Sequence, residues 1–252
     1  MTFQIGLAGQ IIEVRSLYDK VYTWCQDYII DPAKYSDTAI VIKVTEEDIT
    51  KEDRTRQFNA WKKHPDSIMV YHSAHLEVFV VCRKICEIMP YYSTFLMHGA
   101  VVATDHAGYM FTAPSGTGKT TRAKIWQSVF PGSVIVNGDK PLIRVDTDSV
   151  EAWGTPWAGK ESENTNMSVP LRAILLLERA ENPTDNEIKQ IPFSEAFPTV
   201  YNQIYHPADQ NALRETLKLI QRLEGKTMFY RLRCTPTPEA IRMAYETVQR
   251  SL

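Results

Sequence analysis

Met110-Phe-Thr-Ala-Pro-Ser-Gly-Thr-Gly-Lys-Thr-Thr121 is the stretch whose reading decides this chain. Apolar residues lead into it and helix formers follow it. Its spacing nearly fits G-x-x-x-x-G-K-[ST], with Ala113 standing where the pattern has its first glycine. The chemistry of that spacing is anion binding. Gly116 and Gly118 let successive backbone N–H groups point into one concavity, and the helix that follows adds partial positive charge at its start. Pro114, Ser115, Gly116, Thr117, Gly118, Lys119, Thr120 and Thr121 are therefore expected to hold ATP. In that arrangement Lys119 reaches the outer phosphates from a solvent-facing loop without core packing, and Thr120 supplies a hydroxyl for Mg²⁺.

Outward from this loop, glycine usage singles out the same region. Of 11 glycines, 8 fall between residues 99 and 159, and none falls between Gly9 and Gly99. Glycine is needed where the backbone turns tightly or meets a ligand closely, so the special backbone is expected in this central segment. Before it, Phe3, Ile5 and Leu7 begin an apolar start, Val14 to Tyr28 reads as helix, Ala39 to Val44 as a strand and Glu46 to Lys63 as a charged loop. After it, strands are expected at 95–104, 109–112, 133–136, 142–145, 173–177 and 228–232. Helices are expected at 119–129, 209–223 and 237–248, the last opening on Thr237 and Pro238. The fold class is α/β with mixed α+β character: a small N-terminal α+β lobe over 1–90, read as a substrate-specificity element, and an ATP-binding catalytic domain over 91–252.

Composition removes several classes of function. The 252 residues are 44% hydrophobic and 23% charged, which is ordinary globular usage. Lys plus Arg (28) against Asp plus Glu (30) leaves a formal charge of -2, so neither nucleic acid nor an anionic membrane is drawn by the whole molecule. No apolar run approaches the ~20 residues that cross a bilayer, and a start without a basic segment argues for a cytoplasmic protein. Cys25, Cys82, Cys86 and Cys234 are too few and scattered for a disulfide framework.

Two residues gain meaning beside the loop. The segments 95–104 and 109–112 read as a hairpin turning over Asp105 to Gly108, and pairing Thr104 with Tyr109 extends to bring His98 near Ser115. Strand 109–112, helix 119–129 and strand 133–136 form a βαβ unit whose strands end at one edge, which brings Asp139 to the same place. His72 and His75, three apart, lack a third ligand and read as structural.

These residues resemble the superfamily of HPr kinase/phosphorylase and ATP-type phosphoenolpyruvate carboxykinase. Ser115-Gly-Thr-Gly-Lys-Thr-Thr is similar to the carboxykinase loop, and His98-Gly99 followed by an apolar strand, the loop, and a strand ending in acid is similar to HPr kinase. The likeness spans about a third of the chain and implies the P-loop core of that superfamily. It also implies roles: Lys119 on the phosphates, Thr120 on Mg²⁺, Asp139 as base toward the acceptor hydroxyl and His98 near the transferred group. Gly138 stands where the family has a second acid; Glu161, in Trp153-Gly-Thr-Pro-Trp-Ala-Gly-Lys-Glu161, is the replacement in the metal shell. Lys160 is a candidate for a substrate anion, Trp153 and Trp157 are either core or a substrate platform, and Arg231 and Arg233 read as structural. The resemblance thus implies an ATP-dependent kinase acting on a serine-type hydroxyl of a protein, peptide or small molecule, and suggests self-association. A nucleotide-binding regulator without turnover, and more weakly a carboxykinase-type enzyme, are the alternatives.

Overall fold

Phe3, Ile5 and Leu7 form the buried face of β1 (Thr2–Leu7) in the structure, a computed structural model that describes residues 1–31, 39–63 and 70–251. The strand turns at Ala8 and Gly9, both at positive φ, into antiparallel β2 (Gln10–Arg15). β3 (Ile40–Lys43) then adds in parallel to β2. With α1 (Lys20–Trp24), α2 (Glu46–Lys63) and α3 (Ser73–Ile88), this three-stranded sheet makes up the first of two compact units, Met1–Ile88.

Two expectations fail in this unit, each for an identifiable reason. Residues 14–28 are not one helix. Val14 pairs with Phe3 in the β1–β2 ladder, and buried Glu77 of α3 accepts the backbone N–H groups of Leu17 and Tyr18 at 2.5 and 3.0 Å, so only Lys20–Trp24 is α-helical. A remote carboxylate that claims two N–H groups leaves no local trace. Residues 46–63, read as a loop, form an 18-residue helix. Thr45 and Asp48 cap it reciprocally, Thr45 N donating to Asp48 Oδ2 at 2.9 Å and Asp48 N to Thr45 Oγ1 at 3.3 Å. Acids fill its first turn, and Arg56 pairs with Glu52 one turn apart at 2.7 Å.

The second unit, Met89–Leu252, is built on a nine-stranded mixed sheet. Its elements are β4 (Thr94–Leu96), β5 (Ala100–Thr104), β6 (Ala107–Thr112), α4 (Lys119–Val129), β7 (Val134–Asn137), β8 (Leu142–Val145) and β9 (Val150–Trp153). They continue with β10 (Ser168–Arg179), β11 (Glu187–Ile191), α5 (Phe193–Gln203), α6 (Gln210–Gln221), β12 (Met228–Cys234) and α7 (Pro238–Arg250). The order is β4-β8-β9-β10-β6-β5-β7, with β12 beside β10 and β11 beyond it. β6, β10 and β12 run parallel. Ile174 and Leu176 of β10 pack with Val200 and Ile220 of α5 and α6, whereas Ala173, Leu175 and Leu177 pack with Trp126 and Ile241 of α4 and α7. Covered on both faces, β10 reads as an unbroken apolar run, and each buried Leu or Ile contributes roughly 1.5–3 kcal/mol.

The hairpin register differs from the expected one. Thr104 pairs with Ala107, not Tyr109, because Asp105 and His106 alone make the turn, at φ 51° and 60°. Asp and His tolerate that conformation, so the tight two-residue turn whose twist matches the strands wins over a four-residue loop. The expected strand 95–104 is also broken: β4 pairs with β8, and Met97, His98 and Gly99 give their N–H groups to Pro141 O, Gln203 O and Asp139 O. His98 is therefore not opposite Ser115. The βαβ reading keeps its direction but not its adjacency, since β5 lies between β6 and β7 and is antiparallel to both. β6 and β7 still point the same way, and their carboxyl ends share one edge. Among the described residues no helix is long and apolar enough to cross a membrane. All four cysteines are free.

Candidate functional site

At the end of β6 the chain leaves the sheet at Thr112, bends through 113–118 and enters α4 at Lys119. Gly118, the N-cap, sits at φ 100°, and Gly116 at φ 83°, conformations that glycine takes without strain. Pro114, Ser115, Gly116 and Thr121 are exposed, and Thr117, Gly118 and Thr120 half-buried. Lys119 departs from expectation: it is only 6% exposed. Its Nζ folds back onto the loop and donates to Ala113 O at 2.9 Å and Pro114 O at 3.3 Å, because a buried ammonium needs acceptors and these carbonyls are the ones at hand. Burial lowers its pKa, and the charge of Asp139 partly offsets that shift.

Asp139 is positioned by the residue before the Gly138 that precedes it. Asn137, buried at the end of β7, accepts the N–H groups of Asp139 and Lys140 at 2.9 and 2.7 Å, closing an Asx turn. Its Nδ2 in turn donates to Thr155 O at 3.0 Å. Gly159 packs on the carboxylate side chain: at its φ of +79° a Cβ would lie 3.1 Å from Asp139 Cβ. Asp139 Oδ1 lies 3.0 Å from His98 Nε2, and Oδ2 accepts from Lys140 Nζ at 2.6 Å. Burial opposes ionisation of this carboxyl, yet the His98 hydrogen bond and the Lys140 charge outweigh it and hold the pKa down at about 2. His98 is held from its other side by Gln203, through Nδ1 to Oε1 at 3.0 Å and through its own backbone N–H to Gln203 O at 2.6 Å.

One bond ties the two halves together. Thr120 Oγ1, in the first turn of α4, donates to Gly138 O at 3.2 Å. The start of α4 and the turn that carries Asp139 thus adjoin. Glu161 is not part of this arrangement. It is half exposed and ion-paired with Lys124, which also meets Glu163 at 3.2 Å. Lys160 is exposed. Trp157 is buried, whereas half-buried Trp153 donates Nε1 to Glu151 Oε2 at 3.1 Å. His75 stacks edgewise on Trp24, and Arg231 pairs with Glu178 and Glu195.

No group of three or more His, Cys, Asp or Glu among the described residues could hold a metal ion by itself. The donor set fits Mg²⁺ in a narrower sense. This ion is commonly held by one or two protein groups together with substrate phosphates, and the Thr120 hydroxyl, bonded to Gly138 O, and the carboxylate of the next residue, Asp139, are the groups present that it would use. Glu161 does not join them.

Sequence reasoning missed five side chains around the site. Asn137 was legible as the first residue of an Asn-Gly-Asp turn. Lys140 and Arg122 stand beside Asp139 and Lys119 in the chain, and only the folded contacts show that they meet the site; Gln203 and Arg179 carried no signal, because a helix end and a strand end bring them in from far along the chain.

No protein-family model matches the chain, and no curated protein matches it. Among solved structures, it is similar to the HPr(Ser) kinase/phosphatase from Coxiella burnetii at 14% identity, over 51% of this chain and 90% of that chain, with a TM-score of 0.28.

Proposed function

We propose that the chain is an ATP-dependent kinase that transfers the γ-phosphoryl group to a hydroxyl of a protein, peptide or small molecule. The observation that carries this reading is the Thr120 Oγ1 to Gly138 O hydrogen bond, which joins a glycine-bearing strand-to-helix loop to the turn of a carboxylate already oriented by a histidine. The residue pattern of 113–121 supports it independently.

In this reading the phosphates lie on the backbone N–H groups of 115–120, and Lys119 leaves Ala113 O and Pro114 O for their oxygens. The acceptor oxygen attacks the γ-phosphorus, the bond to the β-phosphate oxygen breaks, and ADP departs. Asp139 accepts the hydroxyl proton. His98 and Gln203 keep that carboxylate aimed. Thr120 and Asp139 would hold Mg²⁺, which when bound with the nucleotide neutralises charge developing on the phosphates. The work is mainly positioning and electrostatics.

A second reading, a nucleotide-binding protein without turnover, draws on Lys140. A carboxylate engaged by both His98 and Lys140, with its pKa at about 2, is a weak base until a ligand draws Lys140 away. Incubation with γ-labelled ATP across serine-containing peptides, proteins and small alcohols separates the two. Label transfer that Lys119→Ala abolishes supports the kinase; tight ATP binding with no transfer and no ADP release supports the second. Nucleotide binding and turnover both unchanged in Lys119→Ala overturn the site assignment.

A further inference from the structure

Three cations converge on the backbone of the 113–118 loop, and among the described residues none of them has an acidic side chain within ion-pair distance. Lys119 rests on Ala113 O and Pro114 O. Arg122, buried in the first turns of α4, donates Nη1 to Thr117 O at 3.1 Å and Nη2 to Cys234 O at 2.8 Å, where β12 ends, and its Nε is buried without a partner. Arg179, the last residue of β10, donates Nε to Thr117 O at 3.3 Å and Nη2 to Gly116 O. Asp139, the one carboxylate of the site, is already matched by His98 and Lys140. The loop is thus a concentration of positive charge satisfied only by neutral carbonyls.

The two arginines stand differently. Arg122 is enclosed, spans from the loop to the end of β12, and cannot leave without exposing a buried guanidinium's cavity. It is a brace. Arg179 is exposed. Its Nε and Nη2 form the side-on edge of the guanidinium, the fork that grips two oxygens of one phosphate, and two successive carbonyls now occupy that fork. Hydrogen bonds to carbonyls in contact with water contribute little net, whereas charge-assisted bonds to phosphate are roughly twice as strong. An incoming phosphate therefore outcompetes Gly116 O and Thr117 O for the same edge.

We propose that Arg179 is a direct ligand of the nucleotide's polyphosphate chain, exchanging the loop carbonyls Gly116 O and Thr117 O for the oxygens of a phosphate. This deepens the kinase reading and rests on it. Arg179 selects for the phosphate chain rather than the base, and it braces the loop from the β10 side as Arg122 does from β12.

The test is calorimetric binding of ATP, AMP and inorganic tripolyphosphate to the full chain and to Arg179→Ala and Arg179→Lys, with thermal unfolding of each empty protein. The expected result is a loss of about tenfold or more in affinity for ATP and tripolyphosphate in Arg179→Ala, with AMP changed less than about twofold. ATP affinity should also depend less on salt in that variant, and Arg179→Lys should recover only part of the loss, because an ammonium lacks the fork. Equal losses for ATP and AMP together with a lower unfolding temperature overturn the proposal in favour of a purely structural brace. Undiminished ATP binding in Arg179→Ala overturns it and leaves the kinase reading standing, whereas failure of the parent chain to bind either ATP or tripolyphosphate overturns the kinase reading first.

Discussion

His98 Nε2 lies 3.0 Å from Asp139 Oδ1, and the backbone N–H of Gly99 donates to Asp139 O at 2.9 Å. The pair therefore forms where the chain breaks between β4 and β5 and runs beside the turn after β7. Gly99 also lets the chain pass close to β6: a Cβ there would sit 2.8 Å from Phe111 O. A histidine and a carboxylate locked by side chain and backbone together form a rigid pair, and rigidity is what a group that receives a proton in a transition state needs.

Asp139→Asn keeps the size of the side chain and removes its basicity. If Asp139 receives the acceptor's proton, phosphate transfer should fall at least about a hundredfold while ATP affinity stays within a few-fold. Single-turnover transfer beside equilibrium binding checks this. A collapse of ATP affinity instead would make holding the metal, rather than receiving the proton, the main work of Asp139.

The same carboxyl gives a stability signature. Its folded pKa of about 2 lies below the ordinary value of 3.8, so between those values the unfolded chain binds more protons than the folded one. The stabilisation, about 2 kcal/mol on the usual conversion, is complete above about pH 4 and is lost as pH falls through about 2. Urea unfolding of parent and Asp139→Asn should converge toward acid, with the parent's advantage present only at the higher pH.

Lys119→Met keeps the buried stem and deletes the ammonium. Transfer should be undetectable, while the unfolding temperature moves by no more than a few degrees, since the charge it removes was already opposed by burial. A large fall in unfolding temperature would mean that Lys119 holds the loop rather than its ligand.

His98→Ala and Gln203→Ala act on one unit. Gln203 touches only the histidine side of the pair, so its loss should lower turnover by about tenfold, less than the loss of His98. The double variant should be no worse than His98→Ala alone. Full additivity in turnover would separate Gln203 from the dyad.

Gly154 and Gly138 contrast in sterics alone. A Cβ on Gly154 would lie 1.9 Å from Thr165 O and 2.9 Å from Val136 O, both backbone, whereas on Gly138 the nearest atom is 3.4 Å away. Gly154→Ala should cost about 3 kcal/mol or more, and Gly138→Ala less than about 1. Paired urea titrations decide it.

The sequence by itself determined the local elements that depend on near neighbours. The apolar run at 173–177 became the core of β10, Thr237-Pro238 opened α7, and the glycines of 116–118 bent the chain between β6 and α4. Patterning, capping and positive φ act over a few residues, so they are written locally. The tertiary structure alone decided the rest. The break at 97–99 hangs on distant partners, Gln203 O and Pro141 O, and the loss of the expected helix over 14–28 on Glu77, whereas the two-residue turn at 105–106 and the cap of the helix over 46–63 are local features to which the Glu52–Arg83 pair adds a distant one. The candidate site shows the same division. The loop residues and Asp139 were legible by spacing, but the burial of Lys119, the pairing of Glu161 with Lys124 rather than with Thr120, and the arrival of Arg122, Arg179 and Gln203 follow from packing. Charges pair with whatever the folded backbone brings within reach, and that distance is not encoded in sequence separation.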